Sequence, residues 1–407
     1  MPDGEAKMNE SRPVASEGDS GDLPIRRVLR EWGRIGCVGF GGPPAHIALF
    51  RELCVERERW IDEDEFEHAI AVTNLLPGPA STQLAIYCAW TLRGLAGALA
   101  GGLAFILPGL VLIIALAAVF LGSPPDWVVG LGAGAGAVVP AVAVQAAAGL
   151  IPGSWKRAGE NSRQRWIGYV AAGALTTIFL GTWVVLVLLA CGVIEMVSRR
   201  QLPNWMRFGR GDGPQGLAPL PLLAAVGATG GLAALCWTAF KVGALSYGGG
   251  FVIIPMMQAD AVDHYHWMTS GEFLNAVALG QATPGPVVQT VSVVGYAAHG
   301  LTGAIVAAIV AFAPSFWFIG LGAKRFDRLR TDPSPRAFLD GAGPAAIGAI
   351  LGVAVPLALA LAEPWQAVLL ALGALALLLL RVAVVPVILA GAAAGAAAAL
   401  LGAPLPS

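Results

Sequence analysis

The chain consists of long apolar stretches separated by short polar segments. Two of these stretches, Gly102–Leu121 and Trp365–Leu380, contain no charged residue. A helix of about 20 apolar residues, rising about 1.5 Å per residue, crosses a hydrocarbon layer of about 30 Å. Only 13% of the residues are charged, whereas a soluble domain usually has about 25%. The pattern predicts an all-α polytopic membrane protein.

Two of the apolar segments are interrupted by Pro-Gly-Pro, at residues 77–79 and 284–286. Proline removes a backbone donor and clashes with the preceding turn, so each triplet should break its helix. Within a bilayer, a break is tolerated only where protein or a water-filled cavity covers the freed polar groups. We therefore expect two buried breaks that serve a function. The alternative is that the triplets are simple kinks and that the glycines serve only close helix packing.

Both breaks belong to a sequence pattern that occurs twice. At an offset of 207 residues the two triplets coincide, Trp60 falls on Trp267 and Phe66 falls on Phe273, without a gap from position 40 to 93. A repeat of this kind predicts a duplicated fold. We expect a disordered polar tail (1–24), a first membrane repeat (25–198), a linker with room for an extra span (199–234) and a second membrane repeat (235–407).

Lysine and arginine residues suggest the topology. Arg26, Arg27 and Arg30 place the N-terminus in the cytoplasm by the positive-inside rule. Basic loops at 156–165 and 324–336 fall at different points of the two repeats, so the repeats are inverted if both loops are cytoplasmic. The arginines of the linker fit this topology if 166–197 forms a hairpin of two short helices and 217–234 adds a crossing. The number of crossings, roughly 10 to 13, stays open.

Interrupted helices in inverted repeats are a recurrent transporter design, in which the N-termini of half-helices face an anionic substrate. A glycine cluster precedes each break in the repeat: GFGGPP (39–44) is the first and SYGGG (246–250) is the second. The free amides that follow each break, and those of the two glycine clusters, form a plausible cradle for an oxyanion. The candidate substrate-binding residues are Arg34, Gly41, Gly42, Asn74, Pro77, Gly78, Pro79, Ser81, Thr82, Gln83, Lys241, Gly248, Gly249, Gly250, Gln281, Pro284, Gly285, Pro286, Gln289 and Thr290.

Arg34 and Lys241 are the predicted charge partners of the anion, because they coincide in the repeat and lie in apolar surroundings. A cation within a membrane is usually paired or functional. For Arg34 the alternative is that it belongs to the basic cytoplasmic end of its helix and extends to the headgroups.

Other polar side chains allow a functional and a structural interpretation. His46 is a candidate proton carrier, although Ile253 occupies the matching position. Glu65 and Glu272 coincide and are interpreted as helix caps rather than as a proton relay. The histidines at 264 and 266 lie in a polar loop, where a metal site is the weaker interpretation. The five cysteines show no CxxC spacing and are interpreted as small core residues.

Several function classes have no support in the sequence. The formal net charge of -1 gives no indication of nucleic-acid binding. No GxSxG, HExxH or GxxxxGK[ST] motif occurs, so neither a hydrolase nor an ATP-driven pump is indicated. We expect no enzyme activity, no cofactor and no metal.

Four motifs form pairs across the two halves: GFGGPPAHIALF (39–50), LLPGPASTQ (75–83), ALSYGGGFVIIPMM (244–257) and EFLNAVALGQATPGPVVQ (272–289). Together they resemble the chromate ion transporter family in its long-chain, two-domain form, and the resemblance covers both halves. It implies a secondary transporter that exports chromate across the bacterial inner membrane and confers resistance. The motif glycines and prolines would then form the site scaffold.

Some properties stay open at this point. Sulfate shares the charge and shape of chromate, so a sulfate or other oxyanion transporter is an alternative. A passive anion channel, or a membrane scaffold without transport, is a further one. Proton coupling and a homodimeric assembly are not decided by the sequence.

Overall fold

The computed structural model describes residues 23–74, 76, 78–122, 124–180, 183–199, 231–246, 253–322 and 333–406. All regular structure in these ranges is helical, which confirms the predicted all-α fold. Four predicted site residues, Pro77 and Gly248 to Gly250, lie outside the described residues. So do nearly all of the predicted tail and linker and most of the second basic loop.

The first half of the chain contains eight of the described helices. They are α1 (Ile25–Val38), α2 (Pro43–Arg51), α3 (Glu63–Thr73), α4 (Ala80–Phe120), α5 (Asp126–Ala137), α6 (Val139–Ala158), α7 (Arg163–Leu180) and α8 (Val184–Ser198). A π-turn, Glu52–Arg57, continues α2, and a 3-10 turn, Glu160–Ser162, precedes α7. Helices α7 and α8 form the predicted hairpin of two short helices.

The second half continues the numbering. Its described helices are α9 (Gly231–Leu245), α10 (Ile253–Gln258), α11 (Ser270–Ala282), α12 (Thr290–Gly322), α13 (Pro333–Leu359), α14 (Pro364–Ala374) and α15 (Val384–Leu400). π-turns follow α10 (Ala259–His264) and α14 (Leu375–Leu379), and a 3-10 turn (Val287–Gln289) precedes α12.

Four helical stretches are long and apolar enough to cross a membrane: Ala80–Phe120, Asp126–Ala158, Val287–Gly320 and Ser334–Leu359. Helix α4 exposes a stripe of large apolar side chains at intervals of four residues, namely Leu95, Leu99, Leu103, Leu107 and Val111. Helix α12 exposes a similar stripe, namely Leu301, Ile305 and Ile309. Continuous apolar stripes of this length suit contact with lipid and are rare on soluble monomers.

Both long helices are kinked at a glycine. In α4, Gly94 has φ 57° and ψ −146°, and in α12, Gly300 has φ 60° and ψ −151°. Side chains rarely adopt this backbone conformation, so a glycine is required at each kink. The residues before the glycines, Arg93 and His299, also share one conformation, with φ −145° in both. The two kinks are 206 residues apart. The same dipeptide occurs at both kinks, as Gly94-Leu95 and Gly300-Leu301.

The two halves are interlocked through helices that carry small residues. Helix α7 packs on α13, where Gly173 lies against the backbone of Ala345 and Gly348 lies against the backbone of Val170. Helix α5 packs on α15, where Gly134 touches the backbone of Gly391. Glycine allows two helix backbones to approach closely, which favours van der Waals packing between helices in lipid.

The buried carboxylate of Glu195 is the centre of a charge cluster that links α7, α8 and α13. Glu195 of α8 accepts hydrogen bonds from Arg165 at 2.9 Å, from Tyr169 at 3.0 Å and from Arg199 at 2.7 Å. Arg199 also donates to Asp340 of α13, at 2.8 Å. Each charge in this cluster therefore has an opposite charge beside it, which offsets the cost of its burial.

Candidate functional site

The described residues of the first break, Leu76, Gly78 and Pro79, are buried and lie between α3 and α4. Helix α3 starts at Asp62, whose side chain accepts the Glu65 amide at 2.7 Å, and it ends at Thr73. Gly78 has φ 122°, a conformation that favours glycine. Pro79 precedes α4 without a side-chain cap, and Ser81, Thr82 and Gln83 of the first turn are buried. A helix start buried in this way faces protein rather than lipid, as expected for a functional break.

The second break has the same construction. Thr269 and Glu272 form a capping box at the start of α11, and the chain leaves that helix in an extended conformation at Thr283. Gly285 has φ 92°, and the segment that follows it is buried. The hydroxyl of Thr290 donates to the Val287 carbonyl at 2.8 Å, which closes the 3-10 turn before α12. The role of Glu272 as a helix cap is confirmed.

Each break packs on the long helix of the other half, next to an internal proline. Gly109, which follows Pro108 in α4, touches Pro284 and Gln289 of the second break, and Gln289 donates from Nε2 to the Ile106 carbonyl at 2.8 Å. Ser315, which follows Pro314 in α12, lies beside Gly78 of the first break. The two breaks therefore belong to one buried region built around α4 and α12.

The first glycine cluster lies directly against the second break. Gly41 has φ 100° and Gly42 has φ 73°, so both adopt conformations that favour glycine. Gly42 precedes α2, whose first turn contains the prolines at 43 and 44, and it lies beside Val287. The Gly285 amide donates to the Gly39 carbonyl at 2.9 Å. This contact joins the glycine cluster of one half to the Pro-Gly-Pro of the other.

Buried polar atoms without a hydrogen-bond partner lie along the described break segments and the elements next to them. They are Thr82 Oγ1, Ser246 Oγ, Gln281 Nε2, Gln289 Oε1, Ser292 Oγ, Ser315 Oγ and His46 Nδ1. Most buried polar atoms in proteins have a partner, because an unpaired one costs free energy. Such a group of atoms indicates a place where a polar ligand or water binds.

The sequence analysis missed Ser246, Ser292 and Ser315. Only burial identifies them, because serine in an apolar helix ordinarily bonds to its own backbone. Two predicted site residues that coincide in the repeat differ from each other in exposure. Asn74 is exposed, whereas Gln281 is half-buried.

Lys241 has a protein partner. Its ammonium lies 2.5 Å from Asp260 Oδ2, and Thr238 donates to the same carboxylate oxygen at 2.7 Å. The side chains of Lys241 and Asp260 are 18% and 4% exposed. The pair carries no net charge, so Lys241 as it stands does not offer an uncompensated cation to an anion.

Arg34 lies on the surface. Its side chain is 57% exposed and reaches Glu31 of the same helix at 3.9 Å. At the offset of 207 residues the counterpart of Asp260 is Leu53, so the first half has no carboxylate at this position. The structure does not bring Arg34 to either break, and this placement agrees with the alternative interpretation of Arg34.

Glu65, outside the membrane-spanning helices, has a raised pKa, because burial and then the charge of Asp62 disfavour its ionised form.

Cys54, Cys88 and Cys191 are buried as predicted, whereas Cys37 is exposed. Within the described residues, no group of three metal-ligating side chains comes together.

These features define a polytopic, all-helical membrane protein with two interrupted helices that meet in a buried polar region. The family model of the chromate transporter matches residues 26–196 and 233–396 of the chain. The chain therefore belongs to the chromate transporter family.

Named relatives support this assignment. A chromate transport protein of Cupriavidus metallidurans is 34% identical over 379 residues, which are 91% of this chain and 92% of that protein. A probable chromate transport protein of Synechococcus elongatus is 30% identical and covers 82% of this chain and 84% of its own length. A chromate transport protein of Pseudomonas aeruginosa is 29% identical, with 81% of this chain and 80% of that protein covered. No solved structure is detectably similar to the chain.

Proposed function

We propose that the protein is a secondary active transporter that exports chromate from the bacterial cytoplasm across the inner membrane and so confers chromate resistance. Membership of the chromate transporter family and the names of its relatives support the substrate. The two breaks pack reciprocally on α4 and α12, amid buried polar atoms that have no hydrogen-bond partner among the described residues, and this packing supports a site within the membrane. This packing is the observation that carries the proposal.

In this proposal the anion lies between the start of α12, the first glycine cluster and the start of α4. The N-terminal amides of the two long helices supply partial positive charge. Thr82 and Gln289 are buried in the first turns beside the breaks. The glycines at 41, 42, 78 and 285 allow the backbone itself to approach the anion, because they carry no side chain.

The site would hold a dianion mainly by hydrogen bonds and helix dipoles. Lys241 is neutralised by Asp260, and Arg34 lies on the surface. A site of this kind discriminates weakly between tetrahedral dianions of similar size, because each presents the same oxygen acceptors. We therefore propose that sulfate competes with chromate.

The duplicated construction supports an alternating-access mechanism. We propose that residues 25–198 and 235–407 are inverted repeats, that the N-terminus is cytoplasmic, and that the repeats rock around the site. The matched kinks at Gly94 and Gly300 and the reciprocal position of the breaks support this arrangement.

Chromate uptake into everted membrane vesicles tests the proposed function. Vesicles from cells that produce the protein should accumulate chromate when energised, excess sulfate should reduce the uptake, and an uncoupler should abolish it. Vesicles from cells that lack the protein are the control. Uptake that equals the control contradicts the proposal, and equal flux with and without the uncoupler favours a passive channel.

A further inference from the structure

His46 lies in the first turns of α2, at the glycine cluster that contacts the second break. Its side chain is fully buried, and its Nε2 lies 2.9 Å from the Gly39 carbonyl oxygen. A carbonyl can only accept a hydrogen bond, so Nε2 must carry the ring hydrogen. The Gly39 contact therefore fixes the tautomer of the neutral ring, in which Nδ1 carries a lone pair and no hydrogen.

The Nδ1 atom is buried without a hydrogen-bond partner among the described residues. Histidine in an apolar core ordinarily pairs both nitrogens, because an unpaired buried polar atom costs free energy. The only chemistry left to this ring is therefore at Nδ1. It can accept a hydrogen bond as it stands, or it can take up a proton and become a donor.

The ring is connected to the second break through a single oxygen atom. The Gly39 carbonyl accepts both His46 Nε2–H and the Gly285 amide, each at 2.9 Å. The ring also stands edge-on to Phe105 of α4, with centroids 5.1 Å apart, and the Phe105 carbonyl lies beside Gly285. A change of charge on the ring is thus felt directly at the second break.

Charged side chains of the neighbouring elements point elsewhere. Arg51 of α2 pairs with Glu63 and Glu67, and Arg34 of α1 reaches Glu31. In the ranges that the structure describes, no charged side chain forms a hydrogen bond or an ion pair with the ring. At the offset of 207 residues the counterpart of His46 is Ile253, so the second half has no matching histidine.

We propose that His46 takes up one proton at Nδ1 when the oxyanion binds at the second break and releases it when the anion leaves. This inference rests on the proposed function. In the step, an N–H bond forms at Nδ1 with a proton from water, the ring gains one positive charge, and no electrons are exchanged. On release the same bond breaks and the proton returns to water.

The physical reason for this proton uptake is the negative charge of the substrate. A positive charge on the ring, which shares the Gly39 carbonyl oxygen with the second break, offsets one of the two negative charges of the oxyanion. In a buried region of low dielectric this attraction is much stronger than in water. Because the His46 ring takes up a single proton, about one proton should move with each anion. The competing explanation is that a buried water occupies Nδ1.

His46→Gln tests the proposal in proteoliposomes that contain the full chain and a trapped pH-sensitive dye. The glutamine amide can still donate to the Gly39 carbonyl, but it cannot take up a proton. Wild-type protein should move protons together with chromate. H46Q should exchange chromate for chromate more weakly, because the charge of the ring is missing, and the chromate that it still moves should cross without protons. His299→Gln, at the exposed kink of α12, is the matched control and should behave as the wild type.

The failures are distinguishable. If H46Q moves protons with chromate in the wild-type ratio, His46 is not the proton site, although transport stands. If wild-type protein moves chromate without protons, the inference is again overturned while the transporter remains. If wild-type protein moves no chromate, the proposed function fails and the inference fails with it.

A second measurement covers the case in which H46Q moves no chromate. In a variant whose other four histidines, His68, His264, His266 and His299, are replaced by glutamine, His46 gives the only imidazole signal in nuclear magnetic resonance. Chromate added at a pH where this ring is neutral should shift the signal to that of the charged ring. An unchanged signal, with binding shown independently, overturns the proposal.

Discussion

Lys241 and Asp260 form a buried ion pair 2.5 Å apart, with Thr238 on the same carboxylate. Removing one partner leaves an uncompensated charge away from water, whereas replacing both with apolar residues is often neutral. The same reasoning does not apply to Arg34, because water screens a pair on the surface. Residues that coincide in the sequence repeat therefore have different energetic roles.

We expect Lys241→Met to lower the free energy of unfolding by about 3–5 kcal/mol, because Asp260 is left unpaired. Arg34→Met is the matched control and should cost less than about 1 kcal/mol. Denaturant unfolding of the detergent-solubilised protein measures both. Equal stability of the two variants would show that the pair does not form.

The double variant K241M/D260L separates stability from transport. It should recover most of the stability lost in K241M, because no charge is left unpaired. If chromate uptake recovers as well, Lys241 has only a structural role. If stability recovers and uptake does not, Lys241 takes part in transport.

At the scale of elements, the two breaks depend on the helix against which each one packs. The second break lies on Gly109 of α4, where an added methyl group would meet the Pro284 carbonyl and, at 2.5 Å, Gln289 Oε1. The Pro284 carbonyl belongs to the backbone, and the Gln289 amide is held by its hydrogen bond to Ile106, so the added methyl group would displace the break. The position of the break is therefore set by a residue more than a hundred positions away in the chain.

Gly109→Ala should consequently abolish or strongly reduce chromate uptake while the protein still inserts into the membrane. Gly149→Ala, in α6, is the control, because an added methyl group at Gly149 meets no described atom within 4 Å. Alanine in a helix interior is favoured over glycine by up to about 1 kcal/mol, so the control should be as active and as stable as the wild type. Normal uptake by G109A would show that the packing of this break is not required.

At the scale of the whole molecule, the two halves are interlocked rather than side by side. Helix α13 of the second half packs between α7 and α8 of the first, with Gly348 against the backbone of Val170. Gly343 lies on the same helix but has no described atom within 4 Å of an added methyl group. Helix α13 therefore offers a tightly packed glycine, Gly348, and a loosely packed one, Gly343, as a matched control for the effect of an added methyl group.

We expect Gly348→Ala to destabilise the folded protein by about 1–3 kcal/mol, since overpacking moves the helix backbones apart. Gly343→Ala should be neutral or slightly stabilising. Thermal unfolding followed by size-exclusion chromatography compares the two. A G348A protein as stable as G343A would contradict the interlocked packing of α7 and α13.

Much of the fold follows from local sequence, because its causes are local. Uncharged runs of about 20 residues can only be helices in lipid, proline breaks a helix wherever it occurs, and Thr269 with Glu272 caps the next helix within one turn. The two buried breaks and the α7–α8 hairpin were predictable for this reason. The glycine cluster was predictable as a backbone feature, although not its contact with the other half.

The charges and contacts of the site were decided by tertiary structure. The sequence placed Arg34 and Lys241 at equivalent positions, but only the fold shows one on the surface and the other beside Asp260. The contact of Gly285 with Gly39 joins residues from opposite halves, and His46 donates to the same Gly39 carbonyl. Side-chain pairing depends on which distant helix faces a residue, and no local pattern contains that information.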